Sequence, residues 1–120
     1  MKTKRIVRMA VGALGVAGCV MAADIQWTNR LDGIFSDAAQ WSPNQVPGLE
    51  DRAVFNRQAG TATTVTVDAP VTNVSLLVQT DKVTLDLSGG PYALSDKLSV
   101  ESGAGPSELT ITGGLLRMYG

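Results

Sequence analysis

Residues 74–87 read V-S-L-L-V-Q-T-D-K-V-T-L-D-L, two runs of alternating apolar and small polar side chains around a short polar connector. Alternation with a period of two is typical of half-buried β-strands, and Gln-Thr-Asp-Lys has the composition of a turn. The pattern returns further along the chain. The triplet V-S-L at 74–76 is followed 24 residues later by L-S-V at 98–100, and V-T-L at 83–85 is followed 26 residues later by L-T-I at 109–111.

Self-similarity at an interval of this size predicts an all-β fold that starts a right-handed parallel β-helix, in which successive turns of chain stack about 4.8 Å apart. The expected vertical neighbours are Val74 and Leu98, Ser75 and Ser99, Val83 and Leu109, Thr84 and Thr110, and residues 92–94 and 115–117. A small antiparallel β-sandwich also has short strands at even intervals and is the alternative. A sandwich, however, does not require like residues to recur in register.

Both tryptophans and both phenylalanines lie upstream of these strands, within residues 27–55. Large aromatic side chains at the open end of a β-helix can cover apolar surface, which predicts an N-terminal cap at 23–55 followed by coils at 56–120. A flat indole can also cover the face of a sugar, so Trp27 and Trp41 are the candidate ligand-binding residues. The last coil ends without a polar cap, so we expect a longer protein or end-to-end self-association through its strand edges.

The first 22 residues have the layout of a secretory signal peptide. Four basic residues stand within positions 1–8, and the 13 residues from Met9 to Met21 are uncharged and too short to span a bilayer. Cleavage between Ala22 and Ala23 suits a signal peptidase, whereas V-A-G-C ending at Cys19 resembles a lipobox, with lipidation of Cys19. Either route predicts a secreted or cell-surface protein.

Composition disfavours several functions. Removal of the four basic leader residues leaves 10 − 4 = 6 basic against 11 acidic residues, a net charge of −5 that repels nucleic acid. The chain has no histidine, and Cys19 is its single cysteine. We therefore predict no Ser-His-Asp or Cys-His catalysis, no zinc site and no cofactor.

Carboxylates are the remaining candidates for chemistry. Asp37 and Asp51 stand beside turns, where a carboxylate can bind calcium or accept backbone N–H bonds. Asp86 lies within a predicted strand and, with Asp68 or Asp81, would make the pair of acids found in glycosidases. No spacing fixes such a pair, so no catalytic residue is predicted and a solvated face is the simpler interpretation. The alternative function is the N-terminal part of a β-helical polysaccharide lyase or glycosidase.

One stretch resembles a known family. The residues concerned are Trp27, Phe35, Asp37, Trp41, Pro47, Asp51 and Ala53–Phe55. Their order and spacing are similar to the N-terminal signature of exported bacterial β-solenoid proteins, including those with autotransporter-associated β-strand repeats and the planctomycete and verrucomicrobial proteins with PEP-CTERM sorting tails. The resemblance implies a structural or adhesive surface protein without evident catalysis, whose expected partners are polysaccharide or other cell-surface components. The chain departs from the signature at Gln40, where the family has asparagine.

Overall fold

The computed structural model describes residues 23–58, 61–103 and 105–119, so the predicted leader with Cys19 and Ala22 lies outside the described residues. The described chain is all-β, with one turn of 3-10 helix at Ala38–Gln40. The strands are β1 (Asp24–Trp27), β2 (Gly33–Ile34), β3 (Trp41–Ser42), β4 (Arg52–Phe55), β5 (Thr63–Thr66), β6 (Val71–Gln79), β7 (Lys82–Asp86), β8 (Tyr92–Glu101), β9 (Glu108–Thr112) and β10 (Leu116–Met118). Within these described ranges, no helix has the length and apolar character that crossing a membrane requires.

The strands form two sheets. One has six strands in the order β10-β8-β6-β4-β1-β3, and the other has four in the order β2-β5-β7-β9. The four-stranded sheet is parallel throughout. The six-stranded sheet is mixed, because its edge pair β1–β3 is antiparallel and its other pairs are parallel.

The register of β7 against β9 is the predicted one. Val83 lies opposite Leu109 and Thr84 opposite Thr110, which confirms these two expected pairs. Val83 and Leu85 are buried in the core, while Thr84 between them is half-buried on the other side of the strand. The period-two pattern therefore sets both the strand and its inward face.

The register of β6 against β8 differs from the prediction. The expected pairs Val74–Leu98 and Ser75–Ser99 are wrong, because β8 is displaced by two residues and the actual pairs are Leu76–Leu98 and Leu77–Ser99. The pairing of 92–94 with 115–117 is also wrong by one residue, since β10 places Leu116 opposite Tyr92.

An irregularity in β6 accounts for the first displacement. The register of β6 against β8 shifts between Asn73 and Ser75, as at a β-bulge. The N–H of Val74 donates to the carbonyl oxygen of Asp51, 3.0 Å away, instead of continuing the ladder towards β8. A bulge of this kind does not alter the alternation of side chains enough to be read from sequence.

One hydrophobic core lies between the two sheets. Its buried members are Ile25, Trp27, Phe35, Trp41, Ala53, Phe55, Val65, Val67, Leu76, Val78, Val83, Leu85, Leu87, Tyr92 and Leu94. The side chains of the last strands, including Leu98, Leu109 and Leu116, are only partly buried against it. The core is therefore aromatic and closed near β1 and β3, and aliphatic and more open near β9 and β10.

Candidate functional site

The two tryptophans belong to an aromatic cluster of Trp27, Phe35, Trp41, Phe55 and Tyr92. Trp41 is at its centre, with its ring centroid 4.9 Å from that of Phe35, 5.1 Å from that of Trp27 and 5.6 Å from that of Phe55, all edge-to-face. Phe35 also meets Tyr92 edge-to-face at 5.5 Å. Edge-to-face contacts of this kind are attractive beyond the area they bury, so the cluster is a specific packing unit.

The polar atoms of both indoles are satisfied inside the protein. Trp27 Nε1 donates to the carbonyl oxygen of Asn29 at 2.8 Å, and Trp41 Nε1 donates to that of Phe35 at 2.8 Å. Trp27 is 0% exposed and Trp41 is 1% exposed. Neither indole therefore presents a face to a sugar in this conformation, and the contacts of these two candidate ligand-binding residues are those of packing.

A short turn positions Trp41. Asp37 caps the 3-10 turn: its Oδ1 accepts from the N–H of Ala39 and its Oδ2 from Nε2 of Gln40. These bonds, that from Gln40 first, hold the pKa of Asp37 below its ordinary value. The Gln40 carbonyl oxygen accepts from the N–H of Thr28 at 2.8 Å, which ties the turn to the end of β1. Gln40, the departure from the family signature, is thus part of the turn that places the indole.

A buried ion pair lies at one corner between the sheets. The guanidinium of Arg57 donates to both carboxylate oxygens of Asp81, with Nε–Oδ2 and Nη2–Oδ1 distances of 2.8 Å, and the two side chains are 3% and 0% exposed. Arg57 Nη1 also donates to the carbonyl oxygen of Asn29 at 2.7 Å, and the N–H of Asp81 donates to Ser107 Oγ at 3.2 Å. This corner cluster of Asn29, Arg57, Asp81 and Ser107 links four distant segments of the chain.

The remaining carboxylates each have a separate partner. Asp51 accepts from the N–H of Gly48 and Asp86 from the N–H of Ser88. Asp68 accepts from the Ser36 hydroxyl, which holds the pKa of Asp68 below its ordinary value. Within the described ranges, no group of three or more His, Cys, Asp or Glu side chains could hold a metal ion. The structure does not bring Asp86 into hydrogen-bonded contact with Asp68 or Asp81 in the described part of the chain, where each of the three is bound elsewhere.

Asn73 is a buried polar residue that sequence reasoning did not identify. Its amide nitrogen donates to the carbonyl oxygens of Pro47 and Gly48, at 3.0 and 2.8 Å, and its Oδ1 accepts from the Tyr92 hydroxyl at 2.5 Å. Burial raises the pKa of Tyr92, so this hydroxyl stays protonated and remains a donor. Asn73 thus fastens the loop before β4 to the end of the aromatic cluster.

Replacing Asn73 with alanine should lower the free energy of unfolding by about 1–3 kcal/mol, because it leaves buried carbonyl and hydroxyl groups without partners. Urea denaturation followed by circular dichroism measures the change. Tyr92→Phe is the matched control, since it removes one hydroxyl from the same network and should cost less. Equal stability of the Asn73→Ala variant and the unaltered protein would contradict this role.

The exposed pair of Arg52 and Asp24 predicts a small loss of stability in acid. Hydrogen bonds from Arg52 lower the pKa of Asp24 from its ordinary value of 3.8, and the side chain of Asp24 is 60% exposed. Because the folded pKa is depressed, the stabilisation is complete above the unfolded pKa and is lost as the pH falls through the folded pKa. Between pH 6 and pH 3 the effect should not exceed about 1 kcal/mol, the usual ceiling for exposed pairs.

This prediction can be checked by measuring urea midpoints at both pH values for the unaltered protein and for Asp24→Asn. The variant should lose less stability on acidification than the unaltered protein. A steeper loss in the variant would show that Asp24 does not contribute in this direction.

Sequence reasoning missed the corner cluster, although one signal was present: Arg57 and Asp81 are 24 residues apart, the interval at which V-S-L and L-S-V recur. Opposite charges one turn of chain apart are candidates for a vertical pair. Comparison of the chain with family models, with curated proteins and with solved structures gave no match.

Proposed function

We propose that the chain is an exported structural protein of the β-solenoid type, with residues 23–55 as its N-terminal cap and 56–120 as its first coils. One observation carries the proposal: after β3 the chain alternates between the two sheets, and each return adds a strand parallel to the one laid down before. Sandwich domains of immunoglobulin type are built from antiparallel sheets instead. Stacked turns of a coil account for the parallel pairs directly.

The use of the buried polar groups supports a structural role. Arg57 and Asp81 neutralise each other, and Asn73 and Tyr92 bind each other and the backbone. Buried polar groups in a reactive site are instead left free to meet a substrate. The similarity of residues 27–55 to exported β-solenoid proteins adds an adhesive role at the cell surface, with polysaccharide or other surface components as partners.

The β-solenoid arrangement can be tested by nuclear Overhauser spectroscopy of the protein in solution. Antiparallel strands bring α-protons of facing residues close together at non-hydrogen-bonded pairs, whereas parallel strands do not. We expect contacts between Thr84 and Thr110 and between Leu85 and Ile111 without strong α-proton contacts between β7 and β9. Strong α-proton contacts between these two strands would overturn the proposal.

Export can be tested separately by expressing the full chain in a bacterial host and weighing the product. Cleavage before Ala23 should give an extracytoplasmic protein with that residue first. A product that begins with an acylated Cys19 would support export as a lipoprotein. Retention in the cytoplasm with residues 1–22 intact would contradict export.

A further inference from the structure

A cleft of about 370 Å³ opens between two neighbouring turns of the chain. One wall is the connection from β7 to β8, residues 87–91, and the other is Gly114, Leu115 and Arg117 at the start of β10. The walls approach closely, since a Cβ on Gly114 would lie 2.4 Å from the carbonyl oxygen of Leu87. The carbonyl oxygen of Leu115 is held by the N–H of Tyr92 at 3.0 Å. Paired backbone therefore forms the cleft, and it exists before any ligand arrives.

The lining combines apolar surface with a single cation. Leu87, Pro91 and Leu115 supply apolar side chains, and Leu115 is 50% exposed. Arg117 is the one charged residue in the lining, which contains no carboxylate. Acidic residues outnumber basic residues in the chain as a whole, so a site lined by a cation alone stands out from the rest of the surface.

Arg117 also differs from the other arginines in its partners. In the described part of the chain, Arg52 and Arg57 pair with carboxylates and Arg30 donates to a backbone carbonyl oxygen. There, the one hydrogen bond of the Arg117 guanidinium is to Tyr119 Oη, at the long distance of 3.5 Å. Guanidinium groups bind carboxylates through two parallel N–H bonds, and this capacity of Arg117 is unused.

We propose that the cleft binds a small organic carboxylate that carries an apolar surface. The carboxylate accepts hydrogen bonds from the Arg117 guanidinium, and the rest of the molecule packs on Leu115 and Pro91. Small-molecule sites have this composition, mostly apolar with a few polar groups that fix orientation, and the cleft falls at the small end of their size range. Binding at this cleft does not depend on export or on a structural role.

The test is a titration of ¹⁵N-labelled protein, observed at the amides of Gly89, Gly90 and Gly114. Hexanoate and glucuronate are the two acidic probes, and hexanamide and glucose are their neutral counterparts. We expect at least one acid to shift these amides with saturation while its neutral counterpart does not. Saturation by hexanoate alone assigns an aliphatic acid, and saturation by glucuronate assigns an acidic sugar.

Three variants identify the group responsible. Arg117→Ala should raise the Kd about tenfold or more, the usual cost of removing a charged hydrogen-bonding group. Arg117→Lys should raise it by a smaller factor, because lysine keeps the charge but loses the paired geometry. Lys97→Ala removes a charge outside the cleft and should leave binding unchanged. The proposal is wrong if neither acid shifts the glycine amides, if the neutral probes act equally, or if Arg117→Ala binds as tightly as the unaltered protein.

Discussion

Replacing Asp81 with alanine should lower the free energy of unfolding by about 3–5 kcal/mol, which is the cost of leaving a buried charge without its partner. The Arg57 guanidinium is 3% exposed and donates to both carboxylate oxygens of Asp81, so water cannot replace the lost acceptor. The N–H groups of Arg57 and Lys82 lose an acceptor as well. Chemical denaturation followed by circular dichroism measures the effect.

Asp24→Ala is the matched control, because it removes the carboxylate of the exposed pair with Arg52 and should cost about 0–1 kcal/mol. The double variant Arg57→Met with Asp81→Leu removes both charges and should recover much of the loss, since a buried pair and an apolar pair have similar stability. If Asp81→Ala were no more costly than Asp24→Ala, the corner cluster would not be the stabilising feature inferred from the contacts.

The second large effect is expected at the aromatic cluster. Trp41→Ala should destabilise the fold by about 3–5 kcal/mol, the usual range for deleting a buried tryptophan, because Trp41 packs on Trp27, Phe35 and Phe55. Tyr119→Ala removes an aromatic ring that is 65% exposed and should change stability by no more than about 0.5 kcal/mol. Urea unfolding curves of the two variants give the comparison.

Trp41→Phe provides an intermediate case that will fold if the alanine variant does not. It keeps an aromatic ring in the cluster but loses the bond from Nε1 to the Phe35 carbonyl oxygen. Its loss of stability should fall between those of Trp41→Ala and Tyr119→Ala. A Trp41→Ala variant as stable as Tyr119→Ala would mean that the cluster does not hold the fold together.

The strands were predictable from sequence where side chains alternate regularly. Residues 83–87 and 109–112 have a period of two without interruption, and β7 and β9 lie there in the expected register. The register of β6 was not predictable, because it depends on the amide of Asn73 reaching the carbonyl oxygens of Pro47 and Gly48. That contact joins residues 25 and 26 positions apart, and no local pattern reports it.

The sites follow the same division. The packing of Trp27 and Trp41 was one of two interpretations that composition allowed, and only their burial in the fold separates them. The cleft at Arg117 depends on how two glycine-containing turns approach each other, which the sequence marks as turns but does not place side by side. Charges and turn residues were visible in sequence, whereas their neighbours required the three-dimensional structure.

The corner cluster also bears on how the molecule opens. Arg57 is bonded to Asn29 and Asp81, and Asp81 in turn to Ser107, so one continuous set of bonds runs through segments almost eighty positions apart in the chain. Segments connected in this way exchange their amide protons in a single cooperative event rather than one by one. The amides of Arg57 and Lys82, which both donate to Asp81, should therefore show nearly equal protection against deuterium, and both should lose it together when that carboxylate is removed.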